Sequence, residues 1–238
     1  MRLGEGSRGI NDPVSTQPET TDSSEQTQTT DDATLAKAAL AAGDPTGWFE
    51  PLYVAAESGD AVVPWARGEP NRELAAWAAA HPGDGRRALV VGSALGDDPE
   101  LLAAAGYVTT GFDVAATAVA AARRRFPEST VDYQVADLLA PPPEWHHAFD
   151  LVVEIINVQA MPRDVRPKAV ASVAGFLAPG GTALVSAVAE ESIDTATWSG
   201  PPWPLSRAEV ESFAQDGVRL VGIEPIRENT RWWAEFTR

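Results

Sequence analysis

The stretch ALVVGSALGDD, from Ala88 to Asp98, decides the fold of this chain. Residues 89–91 form a short, fully apolar run, and Gly92 and Gly96 mark the turn that follows it. This order predicts a buried parallel strand, a glycine-bearing turn and a helix N-terminus, with Asp98 as the helix N-cap. Such a junction can hold a nucleotide-like ligand, because small residues let backbone N–H groups approach it and the helix dipole faces it.

An acidic residue ends the next predicted strand, which spans residues 107–112. Asp113 lies roughly twenty residues past the glycine turn, which is the spacing of an acid that binds a ribose. A carboxylate at that position can accept hydrogen bonds from both ribose hydroxyls. The turn and the acid together predict a site for a ribose-bearing cofactor, and the other interpretation of Asp113 is a cap on the helix that follows.

The composition excludes several classes of function. A chain of 238 residues with 44% hydrophobic content can bury one sizeable core, so one domain with a tail is expected. A formal net charge of -16 and a pI near 4.5 would repel a phosphate backbone, so no nucleic-acid partner is expected. The chain has no cysteine and three histidines, and no metal site is predicted.

The N-terminal region differs in composition from the rest of the chain. Residues 1–32 are rich in Ser, Thr, Gln, Asp and Glu, and they are predicted to form a disordered acidic polar tail. The domain is predicted over residues 33–238, with residues 33–80 as an N-terminal helical cap. No apolar leader and no stretch of about 18 apolar residues is present, so no membrane partner and a cytoplasmic location are expected.

Strand and helix patterns alternate from residue 88 to residue 188, which predicts a parallel sheet with helices on both faces. The further strands of this stretch are predicted at residues 130–135, 149–153 and 182–188. A helix before the last of them is predicted to end at the APGG sequence, residues 178–181.

The C-terminal part of the chain does not continue this alternation of strands and helices. Ser206 and Glu209 have the spacing of a capping box, and the helix that they begin is predicted to end at Gly217. Residues 218–224 and 232–237 are strand-like and leave no room for a crossover helix between them. They are therefore predicted to pair as an antiparallel hairpin.

These features resemble the class I S-adenosylmethionine-dependent methyltransferases. Residues 92–96 (GSALG) resemble the glycine-rich first motif of that family, Asp113 its ribose-binding acid, and residues 136–138 (ADL) its adenine-binding turn. FDLVVE at residues 149–154 and LAPGGTALV at residues 177–185 resemble its fourth-strand and fifth-strand motifs. The resemblance implies an α/β, Rossmann-like methyltransferase fold, with a mostly parallel seven-stranded sheet and a C-terminal antiparallel hairpin.

A narrower resemblance lies outside that core. VPWARGEPNREL before the first strand, GPPWPL at residues 200–205 and RWW at residues 231–233 are similar to the thiopurine and halide/thiol methyltransferase group. The resemblance implies methyl transfer from S-adenosyl-L-methionine to a small-molecule nucleophile, namely a thiol, a halide or a thiopurine-like acceptor. The alternatives are a non-catalytic relative that binds the cofactor, and a small-molecule O- or N-methyltransferase.

The same resemblance assigns roles to individual residues. The cofactor-binding set that it implies is Gly92, Ser93, Ala94, Gly96, Asp113, Val114, Asp137, Leu138, Glu154 and Trp65. The implied substrate-binding residues are Asn157, Gln159 and Trp203, and Glu154 is the candidate for orienting a substrate or accepting its proton. Trp65 and Trp203 have core packing as their other interpretation. Ala94 departs from the motif, which usually has glycine there, and an alanine at positive φ costs on the order of 1 kcal/mol.

Overall fold

The computed structural model describes residues 32–193 and 201–238, so most of the predicted tail and Gly200 of the GPPWPL motif lie outside the described residues. Within them, seven strands form one sheet in the order β3-β2-β1-β4-β5-β7-β6. The strands are β1 (Arg87–Val91), β2 (Val108–Asp113), β3 (Asp132–Val135), β4 (Phe149–Ile155), β5 (Leu177–Val188), β6 (Arg219–Ile226) and β7 (Arg231–Thr237).

The first five strands are parallel, and β7 runs antiparallel between β5 and β6. The predicted parallel sheet and its C-terminal antiparallel hairpin are therefore confirmed. The helices are α1 (Asp32–Ala41), α2 (Phe49–Ser58), α3 (Arg72–Ala80), α4 (Asp97–Ala104), α5 (Ala116–Arg125), α6 (Arg166–Phe176) and α7 (Arg207–Glu211). None of the helices in the described residues is long and apolar enough to cross a membrane.

Helices cover both faces of the sheet because successive side chains of a strand point to opposite sides. Leu89 and Val91 of β1 lie in one hydrophobic cluster with Val173 of α6. The alternate residue Val90 lies in a second cluster with Leu74 of α3. The apolar run of β1 is thus buried on both faces, as a central parallel strand requires.

Three predicted boundaries were wrong. Helix α4 begins at Asp97 with Gly96 as its N-cap, and the carboxylate of Asp98 instead accepts a hydrogen bond of 2.7 Å from the backbone N–H of Asn71. The APGG sequence belongs to β5, where a register shift absorbs it and where Gly180 and Gly181 bond to the backbone of Arg238. The capping box of α7 is present, but that helix ends at Glu211.

The N-terminal helices are positioned against the start of α5. Trp48 and Leu52 share a hydrophobic cluster with Ala118 of α5. The carboxylate of Glu50 accepts hydrogen bonds from the backbone N–H and the hydroxyl of Thr117, at 3.0 and 2.6 Å. Because α5 follows β2, this contact holds the N-terminal segment close to the carboxyl end of that strand.

Candidate functional site

A cavity of about 420 Å³ lies at the carboxyl edge of the sheet. Residues that follow β1, β2, β3 and β4 line it, and part of the N-terminal segment and of the β6–β7 hairpin complete its wall. Its volume falls within the range of small-molecule sites, roughly 300–1,000 Å³. Ligands of open α/β sheets bind at this edge, so the cavity lies where the sequence predicts a cofactor.

The glycine turn after β1 has no room for a side chain. Gly92 has φ of +61°, and a Cβ added there would overlap the side-chain amide of Asn157. That amide donates to the backbone oxygens of Val91, at 2.7 Å, and Ile155, at 3.1 Å. Gly96 has φ of +96° and would place a Cβ against Tyr133 and Phe126. Asn157 therefore fixes the glycine turn to the end of β4.

Asp113 is held rigidly at the end of β2. Its side chain is 6% exposed, and its two oxygens accept hydrogen bonds from the backbone N–H groups of Ala94, at 3.0 Å, and Ala115, at 2.9 Å. Burial raises the pKa of Asp113 to about 6, and the hydrogen bonds to Ala115 and Ala94 oppose that shift. Each carboxylate oxygen has a further lone pair, so Asp113 can brace the turn, order the residues before α5 and still accept from a ligand.

Asp137 reaches the same cavity from the end of β3. Val114, Ala136, Asp137 and Leu138 all line it. One oxygen of Asp137 accepts a hydrogen bond of 2.8 Å from the backbone N–H of Leu139, which orders the turn. The carboxylates of Asp113 and Asp137 thus face one cavity, as an adenosine group lying across β2 and β3 would require.

Ala94 sits in the strained conformation that its departure from the motif suggested. Its φ is +46°, in the left-handed region that glycine tolerates better than alanine. Its N–H nevertheless bonds to Asp113, so the turn closes in spite of the extra methyl group. The local geometry of the motif is therefore retained at a cost in stability.

Replacing Ala94 by glycine is expected to relieve this strain. The free energy of unfolding should rise by up to about 1 kcal/mol, and S-adenosylhomocysteine should bind up to about fivefold tighter. Urea unfolding and calorimetric titration measure the two quantities. Binding that weakens in Ala94→Gly would show that the methyl group contacts the ligand favourably.

Aromatic side chains from the N-terminal segment form one wall of the cavity. Trp65 packs edge-to-face against Trp48, with ring centroids 5.8 Å apart, and Phe49 also lies within reach at 6.1 Å. The Nε1–H of Trp65 donates to the Tyr53 hydroxyl at 2.8 Å. Trp65 is half-buried and lines the cavity, so it both packs against its aromatic neighbours and borders the space for a ligand.

The remaining predicted site residues divide into two groups. Asn157 lines the cavity, whereas Gly96, Glu154, Gln159 and Trp203 lie outside its lining. Gln159 is fully buried, and its side-chain oxygen accepts from the backbone N–H of Val188 at 2.7 Å. The backbone N–H of Trp203 donates to the backbone oxygen of Gln159 at 2.7 Å. These two residues connect the loop after β4 to the segment after β5.

Glu154 is buried behind Asn157. One of its oxygens accepts from the backbone N–H groups of Asn157, at 2.7 Å, and Val158, at 2.9 Å, and the other has no hydrogen-bond partner among the described residues. Burial raises the pKa of Glu154 to about 7, against the effect of the two backbone hydrogen bonds. Its geometry suits a residue that orders the loop after β4.

Glu154 is expected to make stability depend on pH. Its folded-state pKa of about 7 lies above the ordinary value of 4.5, so the folded state binds the extra proton. Stability conferred by that proton is present near pH 4.5 and is lost as the pH rises to about 7. The free energy of unfolding, measured with urea at pH 5 and at pH 8, should decline between these pH values in the wild type. In Glu154→Gln that decline should be smaller by about 3 kcal/mol. The exposed Glu144→Gln is the control, and an unchanged decline in Glu154→Gln would contradict the shift.

Some residues that line the cavity were not among the predicted site residues. Trp48, Phe49, Asn71, Met161 and Arg227 line it. They come from an N-terminal helix, a helix cap, the loop after β4 and the C-terminal hairpin. Residues so far apart in sequence give no local motif, and only the order of the strands brings them together.

His146 and His147, which the sequence places in a loop, lie near Asp216 at the surface. Arg238 already contacts both His147 and Asp216. The burial of His147 and the charge of Arg238 lower the pKa of that imidazole. A guanidinium among these groups opposes a metal ion, so this cluster does not make a metal centre.

Comparison with a model of the methyltransferase domain family gives a match over residues 88–181, which contain the glycine turn, Asp113, Asp137 and Glu154. This segment therefore resembles a methyltransferase domain. No curated protein matches the chain in sequence.

Solved structures share the fold of the methyltransferase domain. One, described for the conversion of a disulfide bond into a thioacetal group during echinomycin biosynthesis, has a TM-score of 0.65 and 22% identity over 80% of this chain and 93% of its own. The N-methyltransferase NodS from Bradyrhizobium japonicum WM9, in complex with S-adenosylhomocysteine, has a TM-score of 0.59 and 19% identity over 74% of this chain and 91% of its own. Magnesium protoporphyrin IX methyltransferase from Synechocystis PCC 6803, with bound S-adenosylhomocysteine, has a TM-score of 0.57 and 16% identity over 70% of this chain and 80% of its own.

The cavity at the carboxyl edge of the sheet suits S-adenosylmethionine. No side chain fits at Gly92 beside the amide of Asn157, so the backbone at the start of the turn can lie close to a ligand. Asp113 and Asp137 offer carboxylate oxygens at the ends of β2 and β3. The half-buried ring of Trp65 supplies an apolar surface on the other side.

Proposed function

We propose that this chain transfers the methyl group of S-adenosylmethionine to a small soft nucleophile, such as a thiol, a halide or a thiopurine-like compound. The observation that carries the proposal is the wall of Trp48, Phe49 and Trp65 over the carboxyl edge of the sheet. An aromatic wall over a cavity of about 420 Å³ suits a small acceptor better than a macromolecule. It also helps to keep water away from the reacting atoms.

The positions of the cofactor-binding residues support the roles that we propose for them. Asp113 accepts hydrogen bonds from the ribose hydroxyls, and Asp137 with the backbone of Leu138 contacts the adenine. The backbone from Gly92 to Ala94 holds the methionine portion. Gly96 shapes the turn from outside the lining, and Val114 and Trp65 add apolar surface beside the cofactor.

The acceptor requires little chemical help from side chains. When bound, S-adenosylmethionine supplies an activated methyl group: the acceptor's lone pair forms a bond to the methyl carbon as the methyl–sulfur bond breaks, and S-adenosylhomocysteine leaves. Among the described residues, the cavity lining contains no histidine, lysine or tyrosine that would act as a general base. An acceptor that is already an anion, such as a thiolate or a halide, needs none.

Residues behind the cavity position those that line it. Asn157 borders the acceptor's space, while Glu154 holds the backbone of Asn157 and Gln159 holds the strand end at Val188. Trp203 connects to this framework through the backbone of Gln159. We therefore assign Glu154, Gln159 and Trp203 as positioning residues for the acceptor side. The structure reported for thioacetal formation in echinomycin biosynthesis concerns sulfur chemistry, which supports a sulfur acceptor here.

A screen with labelled methyl donor tests the proposal. Iodide, bisulfide, aromatic thiols and thiopurines are the acceptors, and phenols and amines of matched shape are the controls. We expect methyl transfer to at least one soft acceptor, at a rate well above that for its oxygen or nitrogen analogue. Transfer to the hydroxyl or amine analogues alone would make the chain an O- or N-methyltransferase. Binding of S-adenosylhomocysteine without transfer to any acceptor would make it a non-catalytic relative.

A further inference from the structure

Four arginines line the cavity, and three of them, apart from Arg72, interact electrostatically with one another. Arg67 comes from the segment before α3, Arg227 from the start of the loop after β6, and Arg231 from the first position of β7. Segments separated by more than 150 positions thus bring guanidinium groups to one wall. We refer to Arg67, Arg227 and Arg231 as the arginine group.

Only part of this positive charge is compensated within the described residues. Arg227 forms a salt bridge with Glu73, in which its Nε donates at 2.9 Å, and this bond lowers the pKa of Glu73 to about 2. The guanidinium groups of Arg67 and Arg231, in contrast, form no hydrogen bond or close ion pair with a described residue, and only the charge of Glu73 acts favourably on Arg231. In a chain with a net charge of -16, carboxylates outnumber guanidinium and ammonium groups, so this lack of partners is unexpected.

The environment of Arg231 opposes its charge. Its side chain is half-buried, and burial followed by the charges of Arg227 and Arg67 lowers the pKa of its guanidinium. An arginine stays charged in proteins, so the shift reflects an unfavourable interaction rather than deprotonation. An anion bound beside Arg231 would remove that unfavourable interaction.

The sheet order places the arginine group away from the adenosine end of the cavity. Arg231 pairs with Val188 at the end of β5, and β7 lies three strands from β1. With strands spaced about 4.8 Å apart, Arg231 lies roughly 14 Å from β1 across the sheet. The carboxylates of Asp113 and Asp137 belong to β2 and the end of β3, still further away. An anion held by Arg231 is therefore on the acceptor's side.

We propose that the methyl acceptor carries an anionic oxygen group, a carboxylate or a phosphate, and that Arg231 and Arg67 bind this group. The proposal rests on the proposed function and narrows its substrate class. The planar fork of a guanidinium matches the two oxygens of a carboxylate or phosphate, which would orient the acceptor as well as attract it. Glu69 also lines the cavity, and its carboxylate would oppose an anion bound close to it.

Direct binding tests this proposal without requiring turnover. The full chain saturated with S-adenosylhomocysteine is titrated with 4-mercaptobenzoate, with its neutral analogue 4-mercaptobenzamide, and with 3-mercaptopropionate against 2-mercaptoethanol. Phenyl phosphate, compared with phenol, supplies the phosphate arm. The anion of at least one pair is expected to bind at least tenfold more tightly than its neutral partner.

Substitutions of the arginines test which of them causes the preference for anionic ligands. The ratio of anion affinity to neutral-analogue affinity is expected to fall to about one in Arg231→Gln. It should fall severalfold in Arg67→Gln and only in part in Arg231→Lys. The affinity for S-adenosylhomocysteine should change less than twofold in all three. Arg219→Gln, at the exposed start of β6, is the matched control and should keep the full preference.

The other outcomes overturn the inference or separate it from the proposed function. Weaker binding of S-adenosylhomocysteine by Arg231→Gln, with anion preference intact, would assign Arg231 to the cofactor's own carboxylate and overturn the proposal. Equal binding of anionic and neutral partners, or no binding of any anion, would also overturn it. Anion preference in the absence of methyl transfer would uphold an anion site at Arg231 while contradicting the proposed function.

Discussion

Gly92→Ala is expected to abolish measurable binding of S-adenosylhomocysteine, with a loss of at least 100-fold. The new Cβ would overlap the amide of Asn157, which bonds to Val91 and Ile155 and is enclosed by the ends of β1 and β4. Asn157 must give up those bonds or the turn must move out of the cavity. The positive φ adds about 1 kcal/mol of strain, and the free energy of unfolding should fall by about 3 kcal/mol in all. Calorimetric titration and urea unfolding measure both effects.

A matched glycine separates the overlap from the backbone strain. Gly180 has φ of +80° and no described atom within 4 Å of an added Cβ. Gly180→Ala should therefore lose only about 1 kcal/mol of stability and bind S-adenosylhomocysteine normally. In Gly92→Ala/Asn157→Ala the overlap is removed, so part of the stability should return relative to the sum of the single changes. Normal binding by Gly92→Ala would show that the turn is not part of the cofactor site.

The parts of the site that lie close together in sequence were predictable. Residues 88–98 combine an apolar strand, a glycine turn and a helix start, and the order of these features fixes where a ligand can approach the backbone. Asp113 follows from its distance to that turn, since a second parallel strand ends beside the first. The structure brings Asp113 and Asp137 to one cavity because both stand at the carboxyl ends of adjacent strands.

The parts that depend on tertiary contacts were not predictable. Asp98 has the pattern of an N-cap, yet Gly96 takes that position and Asp98 bonds to Asn71, which is 27 positions away. Glu154 stands at the end of a strand, but the loop after β4 folds back and covers it with Asn157. Arg231 reaches the cavity only because β7 inserts between β5 and β6, and no local pattern encodes that strand order.

Asp113→Asn is expected to weaken S-adenosylhomocysteine binding by about 100-fold, which corresponds to about 2.7 kcal/mol. The asparagine keeps the size of the side chain but turns one acceptor oxygen into an NH₂ donor. That donor would face either the N–H of Ala94 or the N–H of Ala115, so one buried backbone group loses its partner. The ribose hydroxyls would also lose a charged acceptor. Calorimetric titration at pH 7.5 gives the affinity.

The pH dependence of binding distinguishes the charge of Asp113 from its role in bracing the turn. Because burial raises the pKa of Asp113 to about 6, the ligand-free protein binds a proton there as the pH falls from 7.5 to 5. The neutral acid accepts hydrogen bonds less well, so wild-type affinity should decline through this range, whereas that of Asp113→Asn should stay nearly flat. Asp150→Asn is the matched control, since Asp150 also accepts from a backbone N–H, that of Arg87 at 2.8 Å, but lies outside the cavity lining. A decline of equal size in Asp113→Asn would assign the pH dependence to another group, of which Asp98, with a pKa raised to about 6 by burial, is the nearest candidate in the lining.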